Sequence, residues 1–259
     1  REQVKRPAAT GRPRIAIIAS FRTLQECLRT MTEMGAYYPV FVPIVPALRY
    51  KKHEKQTMKM KNPFRVASYV LNAHELKQLP GDQGIEIAIA GRSNAGKSSA
   101  INTLTDQKSL ARTSKTPGRT QQIVIFELDE NRRIADLPGY GYAKVPLKLK
   151  EHWRNVMARY FKTRKCLRGV VLVMDIRHPM REFDQQMLGW CEAAGIPCHI
   201  LLTKSDKLKR GPAQSTLLKI RRALPDIATV QVFSSLNKTG LSELVEKLSV
   251  WYEYDEKES

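Results

Sequence analysis

The chain has 259 residues and carries 44 Lys and Arg against 25 Asp and Glu, a net charge of +19. That length allows a sizeable core, and so large a basic excess points to a polyanionic partner such as nucleic acid, the ribosome or anionic lipid. Cys27, Cys166, Cys191 and Cys198 form no C-x-x-C pair and the five histidines show no metal spacing, which argues against a zinc module and for reduced thiols; no apolar run approaches the ~18–20 residues of a membrane span.

Residues 1–59 read unlike the rest. Residues 1–61 alone hold 13 Lys and Arg against 4 Glu. Arg14–Ala19 has a strand-like pattern, whereas Tyr37–Tyr50 is apolar but broken by Pro39, Pro43 and Pro46, which forbids a regular helix. Three readings compete: a basic RNA-binding arm, an organellar transit segment, and a working start at Met58 or Met60. The last is preferred, so residues 1–59 are expected to be a poorly ordered extension and residues 60–256 the functional domain.

From there strands and helices alternate. Strands are expected at 85–90, 122–128, 132–137, 169–175, 198–203 and 229–234, and helices at 97–105, 148–164, 181–194, 211–223 and 240–253. Gly169–Asp175 is a continuous apolar run ending in an acid, as in a strand buried on both faces. The stretches 122–128 and 132–137, joined by Asp129-Glu130-Asn131, read as an antiparallel hairpin at a sheet edge. The expected fold is α/β, a three-layer P-loop NTPase architecture: a mostly parallel six-stranded sheet with one antiparallel edge strand and helices on both faces. Ligands in such folds sit at the carboxyl ends of the strands.

The chemistry starts at Gly91-Arg92-Ser93-Asn94-Ala95-Gly96-Lys97-Ser98, a complete G-x-x-x-x-G-K-S sequence between an expected strand and an expected helix. The glycines let successive backbone N–H groups converge on phosphates, Lys97 can reach the β- and γ-phosphates, and the Ser98 hydroxyl can ligate Mg2+. Asp136-Leu137-Pro138-Gly139 ends a strand; its carboxylate suits a water-mediated Mg2+ contact and the Gly139 N–H suits a γ-phosphate. Ser114–Gln121 is a hydroxyl-rich loop in which Thr116 or Thr120 could complete the Mg2+ shell only when the γ-phosphate is present. Thr203-Lys204-Ser205-Asp206 is a T-K-x-D variant of the guanine-reading N-K-x-D: the carboxylate accepts two hydrogen bonds that adenine cannot offer, and the Lys204 stem can cover the base. Thr203 stands where Asn is more usual. Phe233-Ser234-Ser235 ends the next strand, where small residues let backbone approach the guanine carbonyl.

Taken with Lys115–Gln121, Asp136–Ala143, Asp175–Pro179 and Asp184–Met187, these motifs resemble the EngB (YihA/YsxC) GTPases of the TrmE-Era-EngA-EngB-Septin-like class, over about residues 60–253. The resemblance implies a circularly unpermuted GTPase domain that assists assembly of the large (50S) ribosomal subunit, is needed for normal cell division and septation, and works as a monomer in the bacterial cytoplasm. It implies that Ser98 and Thr120 are the Mg2+ ligands, that Gly118 and Arg119 belong with Thr120 to the nucleotide site, and that the basic charge meets ribosomal RNA. The family's usual start falls near Met60.

Hydrolysis would rest on Lys97, Thr120, Gly139 and Mg2+. Many GTPases place a Gln after D-x-x-G; here that position is Tyr140, so slow intrinsic turnover is expected. Asn94 is a candidate K+ ligand, because some related GTPases with Asn at this place bind that ion; turnover in KCl against NaCl separates this from a loop-stabilising Asn. Two other classes stay open: an ATP-using P-loop enzyme, and an RNA-binding module with little hydrolysis.

Overall fold

The computed structural model describes residues 62–112, 122–140 and 147–254, with only the helical backbone of 147–150. The expectations for residues 1–59 lie outside the described residues, as do those for Thr116–Gln121 and for Gly141–Ala143.

Among the described residues seven strands form one sheet: β1 (Ser68–Ala73), β2 (Ile85–Gly91), β3 (Ile123–Glu127), β4 (Arg132–Asp136), β5 (Leu167–Asp175), β6 (Cys198–Thr203) and β7 (Ala228–Val232). Their order is β1-β3-β4-β2-β5-β6-β7. Strands β4, β2, β5, β6 and β7 are mutually parallel, and β3 runs antiparallel to both β1 and β4. The helices are α1 (Lys97–Leu104), α2 (Leu147–Thr163), α3 (Glu182–Ala194), α4 (Arg210–Ala223) and α5 (Leu241–Trp251).

The expected α/β architecture stands, with one correction: there are seven strands, and the edge is β1. Five of its six residues are not buried, so it lacks the core-facing alternation that marks a strand in sequence. It forms because β3 offers an unpaired edge, with Ser68 opposite Glu127 and Ala73 opposite Ile123. The antiparallel strand β3 therefore lies one place inside the edge.

Period-two alternation sorts the strand side chains into two cores. Ala88, Ala90, Val170, Leu172, Ile200 and Leu202 face α2, α3 and α4, whose buried residues include Met157, Tyr160, Met187, Cys191, Leu217 and Ile220. Ile87, Ile89, Val171, Val173 and Leu201 face α1 and α5, which supply Ile101, Leu104, Leu244, Val245 and Leu248. Cys166, Cys191 and Cys198 are free and buried. None of the described helices is long and apolar enough to cross a membrane.

A buried charge cluster ties the end of α2 to the sheet. Glu86, fully buried, accepts from the Tyr160 hydroxyl at 2.7 Å and from Arg164 at 3.0 and 2.7 Å. Burial beside that carboxylate pushes the Tyr160 phenol well up, so it stays a neutral donor.

After β2 the chain crosses to β3 and β4 on one side of the sheet and then to β5 on the other. The loop that follows β2 thus occupies the point where strand order reverses, the place where open α/β sheets hold their ligands.

Candidate functional site

Residues 92–96 connect β2 to α1. Gly91 must lack a side chain, since a Cβ there would meet the Val173 carbonyl oxygen at 2.6 Å. Gly96 caps α1 at φ +99°, a conformation that only glycine adopts without strain. Asn94 also has a positive φ, 63°. The loop is stitched to its neighbours: the Ser93 N–H donates to the Tyr140 carbonyl at 2.9 Å, and the Ala95 N–H to the Arg92 carbonyl at 3.0 Å. Arg92 and Tyr140 form a parallel bridge, and the Leu137 N–H donates to Ile89 at 2.9 Å. Asp136-Leu137-Pro138-Gly139 therefore runs beside the phosphate-type loop and extends the β2–β4 pairing.

Lys97 and Asp136 form an ion pair and hydrogen bond with both side chains largely buried. Burial raises the Asp136 pKa, and the Lys97 ammonium opposes that rise. Ser98 follows Lys97 in the first turn of α1. Lys97, Ser98 and Asp136 are thus brought together; Gly118, Arg119 and Thr120 lie outside the described residues.

The second half of the site sits at the ends of β6 and β7. The buried Thr203 hydroxyl lies 2.5 Å from the Ala95 carbonyl and 3.0 Å from the Met174 carbonyl, so its one proton is shared between the loop after β2 and the end of β5. Lys204, at φ 58°, donates to the Asn94 carbonyl at 2.6 Å and pairs with Asp175 at 3.0 Å. The Ser205 N–H donates to the Phe233 carbonyl at 3.2 Å. Ser234, fully buried, donates its hydroxyl to Asp206 Oδ1 at 2.6 Å and accepts the Leu236 N–H at 3.2 Å. The Ser234 bond holds the Asp206 pKa below the ordinary carboxylate value, with Lys207 at 3.4 Å adding to it. Asp206 is therefore an ionised acceptor fixed in direction between two loops, with Ser235 next along the second.

In sequence Asp175 reads as the acid that ends the apolar run Gly169–Asp175 and as part of the resemblance, which gives no sign of its contacts. Arg177 binds it through Nε at 2.9 Å, Nη2 at 2.7 Å and the backbone N–H at 3.0 Å. These bonds and Lys204 outweigh its partial burial and hold its pKa well down. The available signal was its position, an acid at the carboxyl end of a buried parallel strand. Tyr140 is the other surprise. Its hydroxyl donates to the buried Asp184 at 3.2 Å, and Asp184 also accepts the Arg181 N–H at 2.9 Å. Burial and that carboxylate raise the Tyr140 pKa well above normal, so the phenol is neutral and bonded to a carboxylate that lines the cleft beside the loop after β2. A cleft lined by Arg92, Ser93, Asn94, Asp175, Asp184 and Lys204, among others, opens beside that loop. Among the described residues no cluster of His, Cys, Asp and Glu could by itself hold a metal ion.

Residues 86–204 match the family model described as a 50S ribosome-binding GTPase. These residues form a GTPase domain similar to that family. The GTPase fold is similar to that of a crystal structure of a probable GTP-binding protein engB, at 24% identity and a TM-score of 0.54, over 66% of this chain and 100% of that one. A crystal structure of an Aquifex aeolicus Era variant bound to GDP·AlF4− is similar at 19% identity and a TM-score of 0.50, over 65% of this chain and 57% of that one.

Proposed function

We propose that this GTPase is a magnesium-dependent, EngB-type GTP/GDP switch in large ribosomal subunit assembly, with a part in cell division and septation, and that residues 60–256 are its working domain in the bacterial cytoplasm. The observation that carries the reading is the Asp206 carboxylate: ionised, held by Ser234, and linked through Thr203 and Lys204 to the loop 92–96. A base reader and a phosphate cradle in one rigid frame suit a guanine nucleotide. An adenine in that frame would leave Asp206 unpaired, a penalty of about 1–3 kcal/mol or more.

In this reading Gly91–Ser98 cradle the phosphates, Pro138 and Gly139 flank the γ-phosphate, and Thr203–Asp206 with Phe233–Ser235 hold the base. The donor set fits magnesium: Ser98 and Asp136 are hard oxygen ligands, and Asp136 is a buried carboxylate neutralised only by Lys97. Ser98 would ligate the ion directly, Asp136 through water, and Thr120 would join them. When bound, magnesium supplies charge neutralisation on the phosphates. Lys97 would exchange its Asp136 contact for the β- and γ-phosphates. Slow intrinsic turnover is supported by the engagement of Tyr140 with Asp184, because the other residues after Asp136, namely Leu137, Pro138 and Gly139, carry no side-chain group to orient water.

The test is cosedimentation of the full chain with 50S particles in GDP and in a non-hydrolysable GTP analogue. Binding at least ten-fold tighter with the analogue is expected. Equal binding in both nucleotides removes the switch, and no binding in either removes the ribosomal partner.

A further inference from the structure

Helix α2 carries cations that the fold does not use. Its inward side holds Met157, Tyr160 and Phe161, and Arg164 just beyond it joins the Glu86 cluster. Its outward side exposes Arg154, Arg159 and Lys162, and Lys165 and Arg168 continue the series into β5. None of these five forms an ion pair among the described residues, not even Arg154 with Glu151 one turn away. The macrodipole favours Lys162 in the last turn of α2 but does not reach Arg154, more than two turns earlier. Glu is as good a helix former as Lys or Arg, and opposite charges four residues apart would strengthen the helix where like charges weaken it. The other basic helix differs: Arg221 of α4 shares a cleft with Glu243 and Glu246.

We propose that the outward face of α2 is a docking surface for the phosphate backbone of an RNA helix; this rests on the ribosomal reading above and names the face that makes the contact. Arg154 and Lys162 are eight residues apart, about 12 Å along the helix. That spacing is too wide to enclose one anion and suits successive phosphates of a strand. A lipid surface needs apolar side chains to insert, but among the described side chains the exposed large apolar residues are Val66, Tyr69, Val70, Leu218, Leu236 and Val250, none of them between Glu151 and Thr163 of α2. A single strand needs exposed aromatic platforms, and Trp153, Tyr160 and Phe161 are turned at least partly inward. Cations spread along about 12 Å of one helix fit the regular backbone of an A-form duplex, which is recognised through shape and phosphate contacts.

The experiment compares three full-length proteins: the unaltered chain, the triple variant Arg154→Gln, Arg159→Gln, Lys162→Gln, and the control triple Lys219→Gln, Arg221→Gln, Arg222→Gln on α4. Binding to a generic RNA duplex and to 50S particles is measured across a salt series, with GDP binding and thermal melting confirming that each variant is folded. The α2 variant is expected to lose ten-fold or more in affinity for both probes, with the slope of log K against log salt falling by about 3, one unit per lost phosphate contact. The α4 control should stay within two-fold of the unaltered chain. Equal losses in both variants would show that net charge rather than this face binds, overturning the proposal. Loss on 50S without loss on the duplex would make the partner a ribosomal protein and overturn the RNA assignment. If the unaltered chain binds the duplex through α2 but ignores 50S, the ribosomal reading fails and the surface stands; if it binds neither, both fail.

Discussion

Thr203 shows how one side chain couples the two halves of the proposed nucleotide site. The sequence marks it only as a departure from the usual Asn. In the structure its hydroxyl, 2% exposed, bridges the Ala95 and Met174 carbonyls. Thr203→Val keeps the shape and removes the donor, leaving two buried acceptors short of a partner. The expected result is a loss of about 1–2 kcal/mol in urea unfolding and a several-fold weaker GDP affinity, because the loop 92–96 is no longer held by β6. Unchanged GDP affinity at normal stability would show that Lys204, through Asn94, holds the loop alone. The same residue scale marks the boundary of what sequence conveys. That Lys97 and Asp136 come together was legible because both belong to short motifs at strand ends. The Lys204–Asp175 pair and the Tyr140–Asp184 bond were not, because each joins residues that only the tertiary fold brings together.

At the scale of elements, the central strands were legible because burial on both faces leaves an unbroken apolar run, as in Gly169–Asp175. Strand β1 was not, since its pairing comes from β3 and its side chains stay mostly exposed. Strands β6 and β7 also carry a polar cluster inside the sheet. Gln231 donates its amide to the Gly240 carbonyl at 2.7 Å, which leaves its oxygen to accept from His199 Nε2 at 2.7 Å. His199 Nδ1 then accepts from Thr229 at 2.7 Å, so both ring nitrogens are occupied in one neutral tautomer. Burial lowers the His199 pKa to about 4, and Lys247 works in the same direction against the Gln231 bond. An unfolded histidine titrates near 6.5. As pH falls the unfolded chain therefore takes up the proton first, so this stability is intact above about pH 6.5 and is lost progressively toward pH 4. The full loss is about 3 kcal/mol. Urea midpoints at pH 7.5, 5.5 and 4.5 should fall more steeply for the unaltered chain than for His199→Gln, which has no proton to take up; parallel slopes would mean that carboxylates elsewhere dominate. Because Gly240 caps α5 just beyond Ser234 and Ser235, the same cluster steadies the loop that holds Asp206.

For the whole molecule, the proposed nucleotide site is built from the ends of β2, β4, β6 and β7, together with α1. A ligand that touches all of them binds the folded domain and not the unfolded chain, so it must raise the melting temperature by mass action. At a hundred times its dissociation constant the gain is about 2.7 kcal/mol, which for a domain of this size corresponds to about 5–10 °C. GDP with magnesium should produce that shift. ADP at the same concentration presents the same phosphates to Gly91–Ser98 but leaves the Asp206 carboxylate without its two donors, so it should shift melting far less. Asp206→Ala should erase most of the difference between the two nucleotides, because it removes the acceptor that penalises adenine. If ADP stabilised the unaltered chain as well as GDP does, the frame formed by Thr203, Lys204, Asp206 and Ser234 would not be reading the base. The loop 92–96 would then be a phosphate site alone, and the guanine assignment would fall even with every hydrogen bond around Asp206 in place.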